Sequence, residues 1–336
     1  MQMWRQALVI GILILGLIVP HQAMGLEKVQ IAVGGAPGAL IYLPFDIGKA
    51  LGFFAEEGIE PEIQSLKGGA QAASALIGGS VDFSGNALDH VIKAKLQGKD
   101  LKMVVSFTHL PGVTLVVNEK YRGIIKSPKD LKGRPVGISS PGSATHMLLS
   151  YILVKNGLTP QEVTVVGVGT NTLPPALEHD HIHAGLAIDP YVTSLLKTGK
   201  AFSLIDLSLE EDTRAFFGGL YQFTGLLVRA ELIQKRPELI QKMVNVMVKA
   251  NRWITTHTPQ EIAAVLPSEA VGDQQTYIES LEHSKAIFSK DGLVTKEGVS
   301  SVLRAFEAFG GIPRGTKLAP ESLYDMRFVK KTLGKR

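Results

Sequence analysis

The chain contains no cysteine in 336 residues. That absence excludes disulfides, thiolate metal sites, a catalytic thiol and the lipid-bearing cysteine of a bacterial lipoprotein. Long apolar runs are almost as scarce. The one near the start, Ala7 to Val19, has 13 residues, short of the ~18 that a membrane-spanning helix wants. Nor does one sign of charge prevail. The 35 basic and 31 acidic residues alternate through most of the chain, which excludes the concentrated basic element of a nucleic-acid binder. Enzyme signatures are missing too: there is no Gly-x-Ser-x-Gly elbow, no His-Glu-x-x-His and no phosphate loop ending in Gly-Lys-Ser/Thr. Gly167-Val168-Gly169 lacks the third glycine of a dinucleotide fingerprint. No cofactor, no resident metal and no catalysis are expected.

What is present at the start is a leader. Arg5 supplies a positive end, Ala7 to Val19 the apolar stretch, and Ala23-Met24-Gly25 small residues at the cleavage positions. The expectation is a secretory signal peptide over residues 1–25, cleaved after Gly25, and a soluble, unlipidated protein in the periplasm. Losing Arg5 takes the basic count from 35 to 34 against 31 acidic residues, a net charge of +3. Lys330, Lys331, Lys335 and Arg336 read as a solvated tail. The remaining length exceeds a usual single core, so two domains of roughly 100 to 200 residues are expected.

The chain also contains itself twice. Gly58-Ile59-Glu60-Pro61 returns as Gly157-Leu158-Thr159-Pro160, and Ala75-Leu76 returns 101 residues later as Ala176-Leu177. Around each echo runs the same order of signals: a β-rich run, a glycine turn, a helix, Gly-Ile/Leu-x-Pro, a second β-run, a second glycine turn and a short helix. This is a βαβαβ unit, duplicated. The first places strands at Lys28 to Val33, Glu62 to Ser65 and Val81 to Phe83, with helices over Leu43 to Glu57 and Ala70 to Ile77. The second places strands at Pro135 to Ile138, Val163 to Val166 and Ile182 to Ile188, with a helix over Ala144 to Lys155. A parallel sheet offers its ligand site beyond the carboxyl ends of its strands, so two such units facing each other imply a cleft between lobes. Beyond residue 200, Ile240, Met243, Met247, Ala250 and Ile254 recur at three- and four-residue steps. That spacing marks helical cladding, expected to return to the first lobe.

Several segments in this order resemble a known family: Leu51-Gly52-Phe53-Phe54 with Gly58-Ile59, Lys67-Gly68-Gly69, Gly78-Gly79-Ser80-Val81-Asp82, Asp130-Leu131-Lys132-Gly133 with Val136-Gly137, Gly142-Ser143, and Asp189-Pro190. Together they resemble the periplasmic substrate-binding proteins of ABC importers for nitrate, sulfonates and taurine, including the NMT1/THI5-like thiamine-precursor binders. The resemblance covers nearly everything after the leader. It implies an α/β, type II periplasmic-binding-protein fold, with strand order 2-1-3-n-4 in each lobe. Two hinge crossings are placed near Ser106 to Pro111 and Asp212 to Phe223, making lobe 1 residues 26–108 plus 218–336 and lobe 2 residues 109–217. It further implies a monomer that captures a small molecule and delivers it to an inner-membrane permease. Two other readings share the architecture: a THI5-like pyrimidine-precursor synthase and a ligand sensor. One departure is visible, because His183 stands in lobe 2 where lobe 1 has Asp82, and the flanking glycines are gone.

Candidate ligand contacts follow from the rim. Gly68-Gly69-Ala70 and Gly142-Ser143-Ala144 each precede a helix, so unpaired N–H groups and the positive helix end would point into the cleft and invite an anionic group, the small molecule itself being expected to be anionic or aromatic/heterocyclic. Gly35 and Ala36 in the first turn, and Gly85 with Asn86 after the third strand, join the same edge. Ser139, Ser140, Ser143 and Thr145 add hydroxyls that serve either a ligand or helix capping, and Thr170 with Asn171 extends the opposite rim. Tyr42, Tyr191 and Tyr221 are placed to stack on a planar ligand or to pack, Asp189 closes the second rim, and His109 lies in the first crossing. His179, His181 and His183 would share one face of an extended strand, but no second liganding pair accompanies them, and a solvated connection is the simpler expectation.

Overall fold

The computed structural model describes residues 25–334. The expected leader lies outside them apart from Gly25, as do Lys335 and Arg336 of the tail. Among the described residues the strands are β1 (Glu27–Val33), β2 (Ile59–Ser65), β3 (Phe83–Ala87), β4 (Leu101–Ser106), β5 (Val113–Asn118), β6 (Pro135–Ile138), β7 (Thr164–Gly167), β8 (Ala184–Ile188), β9 (Ala201–Asp206) and β10 (Thr224–Arg229). They form two sheets, ordered β2-β1-β3-β10-β4 and β7-β6-β8-β5-β9. Each has a parallel core of three strands, and its fourth in order runs antiparallel to both neighbours. This is the 2-1-3-n-4 arrangement twice, with the inserted strand in each sheet being the one the chain enters directly after a crossing, β10 in the first and β5 in the second.

Burial explains the order. β3 and β5 are buried along their whole length, as inner strands of a sheet clad on both faces must be. β2 lies at an edge, which lets Pro61 sit within it without a missing ladder bond, so the strand begins at Ile59 rather than Glu62. The helix expected over Leu43 to Glu57 is two helices, Leu43–Ala50 and Phe53–Glu56, broken at Gly52, whose φ of 73° is left-handed. The third strand starts at Phe83, because Val81 and Asp82 form the turn that leads into it.

The two copies agree to the hydrogen bond. Ser80 N donates to Ala75 O and His181 N to Ala176 O, while Asp82 N donates to Gln30 O and His183 N to Pro135 O. Gly79 has φ 80°, and its counterpart Asp180 adopts φ 62°. Asp180 is alone among the described non-glycine residues in having positive φ. Its carboxylate accepts from Tyr121 Oη at 2.9 Å and pairs with Lys120, so the lost glycine is replaced by a residue held from outside. The turn therefore survives the departure seen in the sequence.

The chain crosses between sheets at residues 107–112 and 207–223, the second crossing carrying the helix Glu210–Phe217. The long helix Pro237–Thr256 packs on Leu43–Ala50 of the first lobe, as expected of the cladding. Gln274–Ser284 and Lys296–Ala308, however, lie against Tyr191–Lys197 and Ala144–Lys155 of the second. Among the described residues no helix is long and apolar enough to cross a membrane.

Candidate functional site

The carboxyl ends of β1 and β3 in one sheet face those of β6 and β8 in the other, and the lobes touch. Thr170 Oγ1 donates to Gly34 O at 3.2 Å, Lys93 Nζ to Gly142 O at 2.8 Å, and Leu40 N to Asp189 O at 3.2 Å. Enclosed between them is a cavity of about 30 Å³.

From lobe 1 the wall takes Gly34, Ile41, Tyr42, Gly69, Asn86 and Ala87; from lobe 2 it takes Ser139, Ser143, Ala144, Thr145 and Thr170, with Leu186, Ala187 and Ile188 from β8. Val113, Phe223 and Thr224, at the ends of the two crossings, complete it. Gly69 begins the helix Gly69–Gly78, and Ala144 begins Ala144–Lys155. Two helix N-termini from opposite sheets thus converge, each with N–H groups that have no partner within the helix.

Glycine is required where the first of these arrives. A Cβ on Gly34 would stand 2.3 Å from Gly69 N, and one on Gly69 would stand 2.7 Å from Asn86 Oδ1 and 3.0 Å from His90 Nε2. Asn86 is positioned by donating Nδ2–H to Gly69 O at 2.8 Å and accepting from Ala87 N at 3.0 Å. Across the cavity Thr145 Oγ1 is the hub of a hydroxyl chain, 3.0 Å from Ser139 Oγ, 2.8 Å from Ser143 Oγ, and accepting Ser139 N at 3.0 Å. Ser143 is also the N-cap of its helix, so capping and lining fall on one side chain.

No side chain of the wall carries a full charge. Ionisable groups stand one layer behind it. Burial, reinforced by the Lys93 ammonium, pushes His90 down to about 3, which keeps its ring neutral. Burial raises Asp89 to about 7 against a hydrogen bond from Tyr221. His90 Nε2 and Ser140 Oγ are buried without a hydrogen-bond partner.

Of the candidates read from sequence, Tyr42, Gly69, Asn86, Ser139, Ser143, Ala144, Thr145 and Thr170 come together on the wall. The others are placed elsewhere, each for a visible reason. Gly35 lies beneath the Tyr42 ring and Gly85 beneath Phe45, a Cβ on the latter meeting Phe45 Cε2 at 2.4 Å. Ala36 lines a second pocket, and Ala70 an outer groove. Gly68 meets Ser140 across the cleft, and Gly142, at φ 79°, turns its carbonyl to Lys93. Asn171 is exposed. Asp189 points away, to Thr193, His283 and Ser284. Tyr191 packs on the core edge, Tyr221 is buried with its hydroxyl 3.4 Å from Asp89 Oδ1, and His109 lies in the hinge with its backbone tied to Ile287 and Tyr221. Sequence reasoning missed Phe223, two residues beyond Tyr221, and the apolar end of β8. It also missed His90, which no motif marks. His179, His181 and His183 belong to no metal-sized cluster among the described residues.

Comparison with known proteins agrees with this architecture. A protein of Bordetella bronchiseptica RB50 of solved structure is 31% identical and superposes with a TM-score of 0.87, over 92% of this chain and 97% of its own. The 4-amino-5-hydroxymethyl-2-methylpyrimidine phosphate synthase THI11 of Saccharomyces cerevisiae is 25% identical over 237 residues, 69% of this chain and 68% of that enzyme. The periplasmic nitrate-binding protein NrtA of Synechocystis PCC 6803 is 12% identical, with a TM-score of 0.72 over 92% of this chain and 89% of its own, and shares the periplasmic-binding-protein fold. The family model described as NMT1/THI5 like matches residues 42–262, more than half of the sequence, and the chain belongs to that family.

Proposed function

We propose that this protein is an extracytoplasmic receptor that closes its two lobes over a small molecule bearing an oxyanion head and hands it to an ABC permease. One observation carries the reading. Two helix N-termini from opposite lobes meet at a cavity lined by hydroxyls, an amide and apolar groups, with no acidic side chain to repel an anion and no basic one to demand a multiply charged guest. Each helix end carries roughly half a positive charge, so the pair suits about one negative charge. Because the wall is drawn from both lobes, a bound head stabilises the closed form over the open one, which is what a permease must recognise. The division into lobes at residues 109 and 217, a monomeric state and secretion through the leader belong to the same reading.

A thermal-shift screen of nitrate, short carboxylates, sulfonates and free pyrimidines tests it. A ligand at a hundred times its Kd adds about 2.7 kcal/mol to stability. A rise in melting temperature with an oxyanion, lost in Ser143→Trp while the fold by circular dichroism is kept, is expected. Stabilisation by neutral pyrimidines alone counts against the anionic head. The yeast relative favours a second reading, a synthase acting on a molecule held in the same cleft. Native mass spectrometry separates the two: a receptor releases its guest chemically unchanged, and a synthase releases a new mass.

A further inference from the structure

A second, larger space adjoins the cleft. It measures about 570 Å³. Ligand pockets for small organic molecules run from about 300 to 1,000 Å³. The cleft cavity, at about 30 Å³, is roughly ten times too small and has room for about two waters, whereas its neighbour lies inside the range.

One residue walls both. Tyr42 lines the cleft beside Gly34 and lines the second pocket beside Ala36 and Pro37. It is 6% exposed, is hydrogen-bonded to the Gly34 backbone, and rests on Gly35, where a Cβ would stand 3.3 Å from its ring. Glycine thus keeps a flat seat for the ring, and the ring is the partition. The walls beyond it are mainly apolar: Val33, Phe45, Ile63, Leu266 and Ala270, with Lys49 and Glu269 as charged members. Asp46 also lines it, and its Oδ2 accepts Gly38 N at 2.9 Å. The cleft offers amides and hydroxyls, and the pocket offers carbon.

We propose that these are two halves of one site divided by Tyr42, and that the ligand is an organic acid whose oxyanion head lies between the helix ends and whose alkyl or aryl tail passes the Tyr42 ring into the second pocket. Tyr42 is then the residue that decides how long a tail is admitted. The proposal rests on the receptor reading above, and its test is built to fail separately from it.

The probes are straight-chain carboxylates from acetate to octanoate, titrated calorimetrically into the wild type and into Ala36→Phe, whose ring fills the tail pocket. Burying each further methylene is worth about a fourfold gain in affinity. The expected result is that slope in the wild type and a flat series in Ala36→Phe. In a crystal soaked with 4-bromobenzoate, the anomalous signal of bromine is expected between Ala36 and Leu266, with the carboxylate near Ser139 and Thr145. A flat wild-type series in which acetate binds, equal slopes in both proteins, or bromine in the open cleft overturns the divided site and leaves the oxyanion head standing. Absence of heat from every acid, with no density at Ser139, sinks the oxyanion head and this proposal together.

Discussion

His283 ties the C-terminal cladding to lobe 2, and the strength of that tie can be worked out. Its Nδ1 lies 3.1 Å from Asp189 Oδ2 and its Nε2 2.7 Å from Asp206 Oδ2, so the ring spans the ends of β8 and β9 from the helix Gln274–Ser284. Hydrogen bonds to Asp189 and Asp206 raise it to about 10 against the opposing effect of burial. From the ordinary value near 6.5 that is a shift of about three and a half units, or ~5 kcal/mol at ~1.4 kcal/mol per unit. The side chain is 30% exposed, and solvent screening brings the figure to ~2 kcal/mol. His283→Gln is expected to lose that amount at pH 6, and Asp189 is not orphaned, because Ser284 and Thr193 still donate to it. For a chain of this length the loss corresponds to a fall of about 4 °C in melting temperature. The sign of the pH dependence follows from a raised pKa. Stabilisation is whole below about pH 6.5, where the ring is charged folded or unfolded, and it disappears as the pH climbs through about 10. Lys197 and Glu279, paired at 2.9 Å, tie the same helix to Tyr191–Lys197 without involving the ring. Thermal unfolding by circular dichroism at pH 6 and pH 9.5 reads the gap between wild type and variant, expected to close at the higher pH. A gap that is the same at both values, or missing at pH 6, refutes the assignment of a charged clamp.

Gly68→Ala brings a methyl to within 2.7 Å of Ser140 Oγ and 3.3 Å of Ser139 Oγ in the opposite lobe. The lobes must then part, and small-angle scattering is expected to report a larger radius of gyration than the wild type; an unchanged radius means that the approach seen here is not essential to closure. Leu76→Ala and Leu177→Ala remove equivalent, fully buried side chains of the two repeats, so each is expected to cost about 2–5 kcal/mol in urea denaturation. A silent result at either position says that the copies, alike in backbone, have diverged in packing.

Much of the fold was legible because duplication repeats a signal. The Gly-Ile/Leu-x-Pro echoes fall where Gly58 and Gly157 take φ of 71° and 79°, a conformation that sterics reserve largely for glycine, so the letters themselves carried the geometry. The helix Ala144–Lys155 matched to the residue for a similar reason, Ser143 at the cap and Asn156-Gly157 at the end. Boundaries slipped where tertiary position overrode a local rule. Pro61 was compatible with a strand only because β2 is an edge, and nothing local reveals which strand is outermost. The departure at His183 was visible, but its harmlessness was not: Asp180 holds a left-handed turn through contacts to Lys120 and Tyr121 that lie 59 or more residues away.

The site was legible only in its backbone half. Glycine turns before helices point to an N-terminus that can take a ligand, and Gly69 and Ala144 do lie on the wall. Which side chains join them depends on rotation about the strand and helix axes after packing. Tyr221 and Phe223 are two residues apart in the second crossing, yet the first turns its hydroxyl toward Asp89 while the second faces the cavity. Asp189 fits a binding motif, but its carboxylate is occupied by His283 and Ser284 of the C-terminal cladding, and its carbonyl accepts Leu40 N of lobe 1. The residues that hold the lobes together are thus largely distinct from those that line the cavity. Lys93 and His283 carry charge, whereas the wall has none. In the receptor proposed above, closure is separate from recognition: charged ties set how readily the lobes meet, and dipoles, hydroxyls and apolar contacts decide which molecule they meet over. Substitutions in the ties should therefore move affinity for all ligands by a common factor, and substitutions at Tyr42 or Thr145 should change their ranking.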